Sequence, residues 1–439
     1  MPKYLFVLGK NWRLAIAEII ELLQIYNIKF KVVDLSPKVC IVNVNRKLTL
    51  KELDKIQCRL GGTLKIGSIL FESPNRLLSE MFGYERRKRE EIEPENWIPK
   101  VWQKIKGKRI KFTISIYPII DSNPEFNVIQ AINYLSNKTK QRLYDLGASK
   151  ARYYIYKIKN METSNKNPTN PLWPNMIIKE RLTTPPNAEI MIVETYKNTY
   201  ISRTATVYDS IWQQARDRGR PYVFPEISTS PKLSRIIINL ARARKNDTIL
   251  DPFCGTGTIL MEALLMEINV IGMDIDEKQV KYSRANLRWL IPHLKRQMKI
   301  KIIQGDATEL KRHIHEKIDA ICTEPDLGPV QKEQIQYNKA IEIKQKLEQL
   351  YYKVLREAIQ ILEPKKRIVL TTPRYNTNRG IIAVDIKNIS QKLGFKIVKL
   401  LPNKYISEEL KDYVEMNRTI IVDKKPNQYV ERQIIVLEK

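Results

Sequence analysis

Cysteine, histidine, acid and long apolar runs are all scarce in this chain. Among 439 residues there are four cysteines and three histidines. Cys40, Cys58, Cys254 and Cys322 form no C-x-x-C pair, and three scattered histidines are too few for a zinc site. The reading is four reduced, mostly buried thiols. No run of about 18 apolar residues is present, so no membrane span is implied. The apolar start Tyr4-Leu-Phe-Val-Leu8 is too short, with the wrong flanks, for a signal peptide. The expectation is a cytoplasmic protein with no membrane partner. Acid is short as well. Asp and Glu number 48 against 76 Lys and Arg, a formal charge of +28. Such an excess predicts a polyanionic partner, most simply nucleic acid. Heavy use of Lys, Ile and Asn gives part of the lysine excess a purely compositional origin.

The length suits two or three domains. Residues 4–8, 29–33, 39–44 and 63–71 read as strands, 12–25 and 50–59 as helices, with Thr49 as an N-cap. The order βαββαβ predicts a small ferredoxin-like module over 1–75. A second unit is expected over 76–195. It holds a charged run at 85–91, a packed segment around Trp97 and Trp102, and a strand at 110–117. A basic helix follows at 128–146, carrying Lys138, Lys140 and Arg142. Next comes a strand at 149–156, with Lys150 and Arg152 among Tyr153, Tyr154 and Tyr156. Basic residues between aromatics suit single-stranded RNA through phosphate pairing and base stacking. Tyrosines in a sheet core with surface lysines would give the same pattern. Residues 160–174 read as a proline-broken linker, and 188–195 with 199–206 as a hairpin. Arg218 and Arg220 sit in a basic loop that joins the RNA-binding candidates.

Residues 205–439 alternate strand and helix, which predicts a Rossmann-like α/β domain with a largely parallel sheet. Its informative stretch is Thr248-Ile-Leu-Asp-Pro-Phe-Cys-Gly-Thr-Gly-Thr258, a strand, an acid, a glycine turn and a helix start. Glycines let the backbone approach a ligand closely. No Lys follows them, so this is not a P-loop, and an acid ahead of the turn suits a cationic ligand. S-adenosylmethionine carries a sulfonium and an α-amino group that Asp251 would anchor. Asp274 closes a second strand and is placed for a ribose diol; Asp306 closes a third and is placed for an adenine amine, or simply caps a helix. Phe253, Gly255, Thr256, Gly257, Thr258, Ile275 and Ala307 complete the expected donor site. Glu324-Pro325-Asp326-Leu327 ends the fourth strand, where an exocyclic amine would be held by acceptors. A helix with Leu347, Leu350, Tyr351, Val354, Leu355, Ala358 and Leu362 on one face follows, then a strand at 367–372.

These motifs carry a family resemblance. Asp251-Pro-Phe-Cys-Gly-Thr-Gly-Thr-Ile-Leu-Met-Glu-Ala263 with Gly272-Met-Asp274 resembles the THUMP-domain tRNA guanine-N2 methyltransferases. So do Arg216-Asp-Arg-Gly-Arg-Pro221, Leu60-Gly-Gly-Thr-Leu-Lys-Ile-Gly67, Leu146-Gly-Ala-Ser-Lys-Ala-Arg-Tyr153 and the tail 427–436. The resemblance implies S-adenosylmethionine as donor, tRNA as partner, guanosine 10 as target and a THUMP module on the RNA; a small activating subunit is left open. One place departs from it. That family's acceptor motif is Asp/Asn-Pro-Pro-Tyr/Phe, where this chain has Glu324-Pro325-Asp326-Leu327. Two alternatives therefore stand beside the enzyme: a tRNA-binding protein with an impaired methyltransferase fold, and an amino-methyltransferase for another nucleic acid.

Overall fold

The computed structural model describes residues 1–84, 90–119, 125–154, 171–224, 228–331, 333–424 and 429–439. Most of the charged run at 85–91, Tyr156 and most of the segment 160–174 lie outside the described residues.

Two sheets organise the chain. The first is built by β1 (Lys3–Leu8), α1 (Trp12–Ile25), β2 (Phe30–Leu35), β3 (Val39–Val44), α2 (Leu50–Arg59) and β4 (Thr63–Ser73). It continues through α3 (Leu77–Phe82), α4 (Ile98–Val101), β5 (Arg109–Tyr117), α5 (Val128–Asp145) and β6 (Lys150–Tyr153). The short α6 (Pro174–Lys179) precedes the hairpin β7 (Ala188–Glu194) and β8 (Thr199–Val207). Strand order is β2-β3-β1-β4-β8-β7-β5-β6, so the first four strands and the last four form one eight-stranded sheet. The seam is the antiparallel pairing of β4 with β8. At that seam a buried Lys65 ammonium meets Glu189 at 2.5 Å, and Ser115 and Thr204 donate to the same carboxylate. A buried charge holds its place when its remaining lone pairs are taken in this way.

After α7 (Ser210–Arg218), α8 (Pro231–Leu240) opens with Ser230 as N-cap and Pro231 in its first turn. The second sheet follows: β9 (Thr248–Asp251), α9 (Thr258–Leu265), β10 (Asn269–Asp274), α10 (Glu277–Leu290), β11 (Ile300–Gln304), the one-turn α11 (Leu310–His313) and β12 (Ile318–Thr323). Then come α12 (Tyr337–Ile361), β13 (Leu362–Thr377), β14 (Gly380–Ala383), α13 (Ile386–Lys392), β15 (Lys396–Ile397), β16 (Ile420–Asp423) and β17 (Val430–Glu438). Order is β11-β10-β9-β12-β13-β17-β15. The first five strands are parallel, and β17 is antiparallel to β13 and β15. The chain winds outward in both directions from β9. The gap between β9 and β12 is therefore the topological switch point where open α/β sheets bind ligands.

One expected boundary moves. Leu362, expected on the helix face, is the first residue of β13. The apolar spacing does continue to it, but Pro364 lacks an N–H and bars the preceding residue from helical backbone.

The sheets are locked together through α1, which is buried along most of its length. Two of its buried residues are acids. Glu18 accepts from the Gly61 and Gly62 amides and from Asn239 of α8, each at 2.8 Å. Glu21 pairs with Arg242 and with Arg367. Arg59 donates to the Ala243 carbonyl at 2.8 Å, and Tyr405 stacks on Phe30. Burial pushes the Glu18 carboxyl up to about 7, against the pull of those donors.

Candidate functional site

Beyond the carboxyl ends of the parallel strands lies a cleft of about 730 Å³. It is lined by Asp251, Phe253, Gly255, Thr256, Thr258, Asp274, Ile275, Asp306 and Ala307, and by Glu324, Pro325, Asp326 and Leu327. Every residue expected at the donor and acceptor ends is there except Gly257, which stands behind the turn. Each acid ends a strand or follows one within two residues, so four neighbouring strands β11, β10, β9 and β12 deliver Asp306, Asp274, Asp251 and Glu324 to one wall.

The glycine turn has the backbone its sequence requires. Gly255 has φ +49 and Gly257 φ +82, and Gly257 is the N-cap of α9. A Cβ on Gly257 would sit 2.6 Å from the Ser283 hydroxyl of α10, whereas at Gly255 the nearest atom is 3.9 Å away. Gly257 thus closes the turn against α10, and Gly255 leaves open space on the cleft side. The turn is tied down by Asp274, whose carboxylate accepts from the Gly255 amide at 2.9 Å and the Asp276 amide at 3.0 Å. Asp306 accepts from the Thr308 amide at 2.8 Å, so it does cap the short turn after β11 while still lining the cleft.

Asp251 is 2 % exposed. Burial raises its carboxyl to about 7; the Thr323 hydroxyl at 2.7 Å and the Phe253 amide at 3.2 Å pull it down, and the charges of Asp274 and Glu324 push it up. An acid held back from ionising first by burial and then by neighbouring acids is stabilised in its charged form by a cation placed beside it.

The acceptor end holds a group that the sequence reading missed. Glu324 is met from β17 by Arg432, Nε to Oε2 at 2.7 Å and Nη2 to Oε1 at 2.9 Å, with both side chains nearly buried. The Thr371 hydroxyl adds a bond to Oε2 at 3.2 Å. The loop beyond is pinned by two buried tyrosines. Tyr351 donates to the Asp326 carbonyl at 2.6 Å and Tyr375 to the Leu327 carbonyl at 2.5 Å. Asp326 itself is exposed and accepts from the Gly328 amide. The period-two pattern of 430–438 puts Arg432 on one face of a strand, but which strand that face meets is a tertiary fact.

The basic candidates divide. Lys138, Arg152 and Arg218 are exposed, and Lys140, Arg142 and Lys150 half-buried. All but Arg218 lie on α5 and on β6, the edge strand of the first sheet. Arg220 does not belong with them. It is 4 % exposed and donates to the Thr258 hydroxyl at 2.6 Å, bracing the start of α9 from behind. Close by, Glu262 of α9 binds Arg216 at 2.6 Å and Arg235 at 2.5 Å, all three buried. Tyr222 stacks on Tyr282 with ring centres 4.3 Å apart, and Asn286 ties the Tyr222 carbonyl to that of Thr256. Among the described residues no group of three or more His, Cys, Asp or Glu is placed to hold a metal, and no helix is long and apolar enough to cross a membrane.

Residues 226–389 match the family model described as an RMKL-like methyltransferase domain. A model described as DNA methylase matches 84–285, a stretch that begins in the first sheet and ends in α10. The chain is 38 % identical over 174 residues to a tRNA (guanine(10)-N2)-dimethyltransferase of Methanothermobacter thermautotrophicus, covering 39 % of this chain and 46 % of that protein. It is 35 % identical over 152 residues to the protein of that name from Methanocaldococcus jannaschii, covering 33 % and 42 %. The chain resembles the tRNA guanine-N2 methyltransferases. The matched stretches span less than half the length of these two relatives. The crystal structure of TrmN from Thermus thermophilus superposes with a TM-score of 0.52 over the full length of both chains at 16 % identity, which shows a shared mixed α/β methyltransferase fold.

Proposed function

We propose that this chain is an S-adenosylmethionine-dependent tRNA methyltransferase acting on the exocyclic N2 of a guanosine. The observation that carries the reading is the wall of four acids around an open glycine turn at the β9/β12 switch point. The residues fit the donor. Its α-amino cation matches Asp251, whose ionisation awaits a positive neighbour. Asp274 retains lone pairs for a ribose diol, and Asp306 with Ala307 and the exposed Ile275 suits an adenine ring. When bound, the donor supplies an electrophilic methyl group. The protein's part is to aim the amine nitrogen at it, hold an N–H on an acceptor at Glu324 or the Pro325 carbonyl, and keep water out.

Guanosine 10 is the proposed target because two relatives are named for it. The first sheet is proposed to bind tRNA, as a ferredoxin-like unit (1–75) joined to a THUMP-like unit (76–195) ahead of the catalytic domain (205–439). Its basic edge on α5 and β6 supports that use. A cytoplasmic setting belongs to the same proposal. The pairing of Glu324 with Arg432 favours one rival, a tRNA-binding protein whose acceptor end is closed to chemistry. Labelled methyl transfer from S-adenosylmethionine to unmodified tRNA, DNA and protein lysate tests both. Transfer to tRNA, with N2-methylguanosine found by nucleoside mass spectrometry, supports the enzyme. Absence of transfer to every tRNA pool overturns it.

A further inference from the structure

Resting on that reading, we propose that Glu324 and Arg432 act as one unit that reads the Watson–Crick edge of the target guanine. The argument is a count of donors and acceptors. An ionised carboxylate has about four lone-pair sites and a guanidinium five N–H groups. Oε2 of Glu324 takes Arg432 Nε and Thr371, and Oε1 takes Arg432 Nη2. Oε1 therefore keeps one acceptor site. Arg432 has spent two of its donors on Glu324 and keeps three. Both side chains line the cleft at the end of β12, where the acceptor base must enter.

The pair thus offers the cleft an acceptor beside a donor. Guanine presents the complement, an N–H at N1 and N2 beside the carbonyl O6. Adenine presents the reverse at those positions, a bare ring nitrogen beside an N–H₂, and would set donor against donor at Arg432. Uracil matches the edge but has no exocyclic amine to receive a methyl group. The rigid guanidinium fork suits such recognition better than an ammonium. The extra methylene of Glu324, relative to the acid of the resembling family's motif, gives its carboxylate the reach to meet a strand-borne arginine. On this reading Arg432 is a specificity residue and the departure at 324 is functional.

The test is a tRNA assembled from fragments with 2,6-diaminopurine in place of the target guanine. That base keeps the 2-amino group but carries a ring acceptor at N1 and an amine at C6. Wild-type protein is expected to prefer guanine by about a hundredfold in kcat/KM. Arg432→Gln, whose amide offers an acceptor as well as a donor, is expected to cut the preference below about tenfold. Arg432→Met, which removes every donor at this position, serves if the first variant does not fold; melting temperature and S-adenosylhomocysteine affinity report folding. A preference unchanged in a folded variant overturns the proposal. If wild-type protein transfers no methyl to any tRNA, the functional reading fails on its own. The edge reading is then decided by equilibrium binding of the two RNAs: tighter binding of the guanine form, lost in Arg432→Gln, upholds it, and equal binding overturns it.

Discussion

Asp251 should make donor binding a titration. Burial first, and then Asp274 and Glu324, raise its carboxyl to about 7. A ligand carrying an α-amino cation binds the ionised form. With that pKa about 9 % of the sites are ionised at pH 6 and about 91 % at pH 8. The affinity for S-adenosylhomocysteine should therefore weaken about tenfold, near 1.4 kcal/mol, between pH 8 and pH 6. Calorimetry in two buffers of different ionisation enthalpy should show close to one proton released per ligand at pH 6. In Asp251→Asn, binding is weak and this proton release is gone; what pH dependence remains belongs to the ligand's own amine. The sign for stability is opposite. The folded pKa lies above the unfolded one, so the native state holds the extra proton between about pH 4 and 7. Stability from this group is complete below about 4 and is lost as pH rises through about 7. Glu18 is raised to about 7 as well and bends the stability curve in the same window, so the variant is needed to separate the two. A ligand affinity that stays flat from pH 6 to 8 in the wild type would refute this account of Asp251.

Other outcomes follow from the same geometry. Gly257→Ala forces a left-handed residue onto the Ser283 hydroxyl and should cost about 1–3 kcal/mol in chemical denaturation, together with donor binding. Glu262→Ala strands two buried guanidinium groups and should cost about 3–5 kcal/mol; a loss below 1 kcal/mol would show that water reaches Arg216 and Arg235. Lys138→Ala with Arg152→Ala should weaken tRNA binding at low salt and lower the slope of log affinity against log salt by about one for each phosphate that these side chains neutralise. Arg220→Ala should leave that slope alone and lower the melting temperature instead, because its guanidinium braces Thr258.

The place of the proposed donor end was legible because its signals are local. An acid, two glycines and a helix start within a dozen residues dictate the turn and its open side, and a parallel sheet sends strand-end acids to one edge. The acceptor end was legible in place but not in charge. Glu324 was readable as a strand-end acid, but Arg432 reaches it only because β17 inserts between β13 and β15, more than 100 residues away. Arg220 was misread for a related reason. A basic loop beside a helix looks solvent-facing until the hydroxyl of Thr258 is known to sit behind it. The buried acids of α1 were likewise invisible: Glu18 and Glu21 fit the polar positions of a surface helix, and their partners, the Gly61 and Gly62 amides, Asn239, Arg242 and Arg367, come from segments distant in sequence.

That docked helix also decides who must move. With Glu18, Glu21 and Arg59 stitched into the second sheet, the two halves share one frame and have no slack hinge at this seam. An RNA held along the edge of the first sheet would meet a cleft at a fixed reach. Any unstacking needed to bring a base to Glu324 would then be work done on the nucleic acid, which makes the pliability of the folded RNA, as much as its letters, a filter on what is modified.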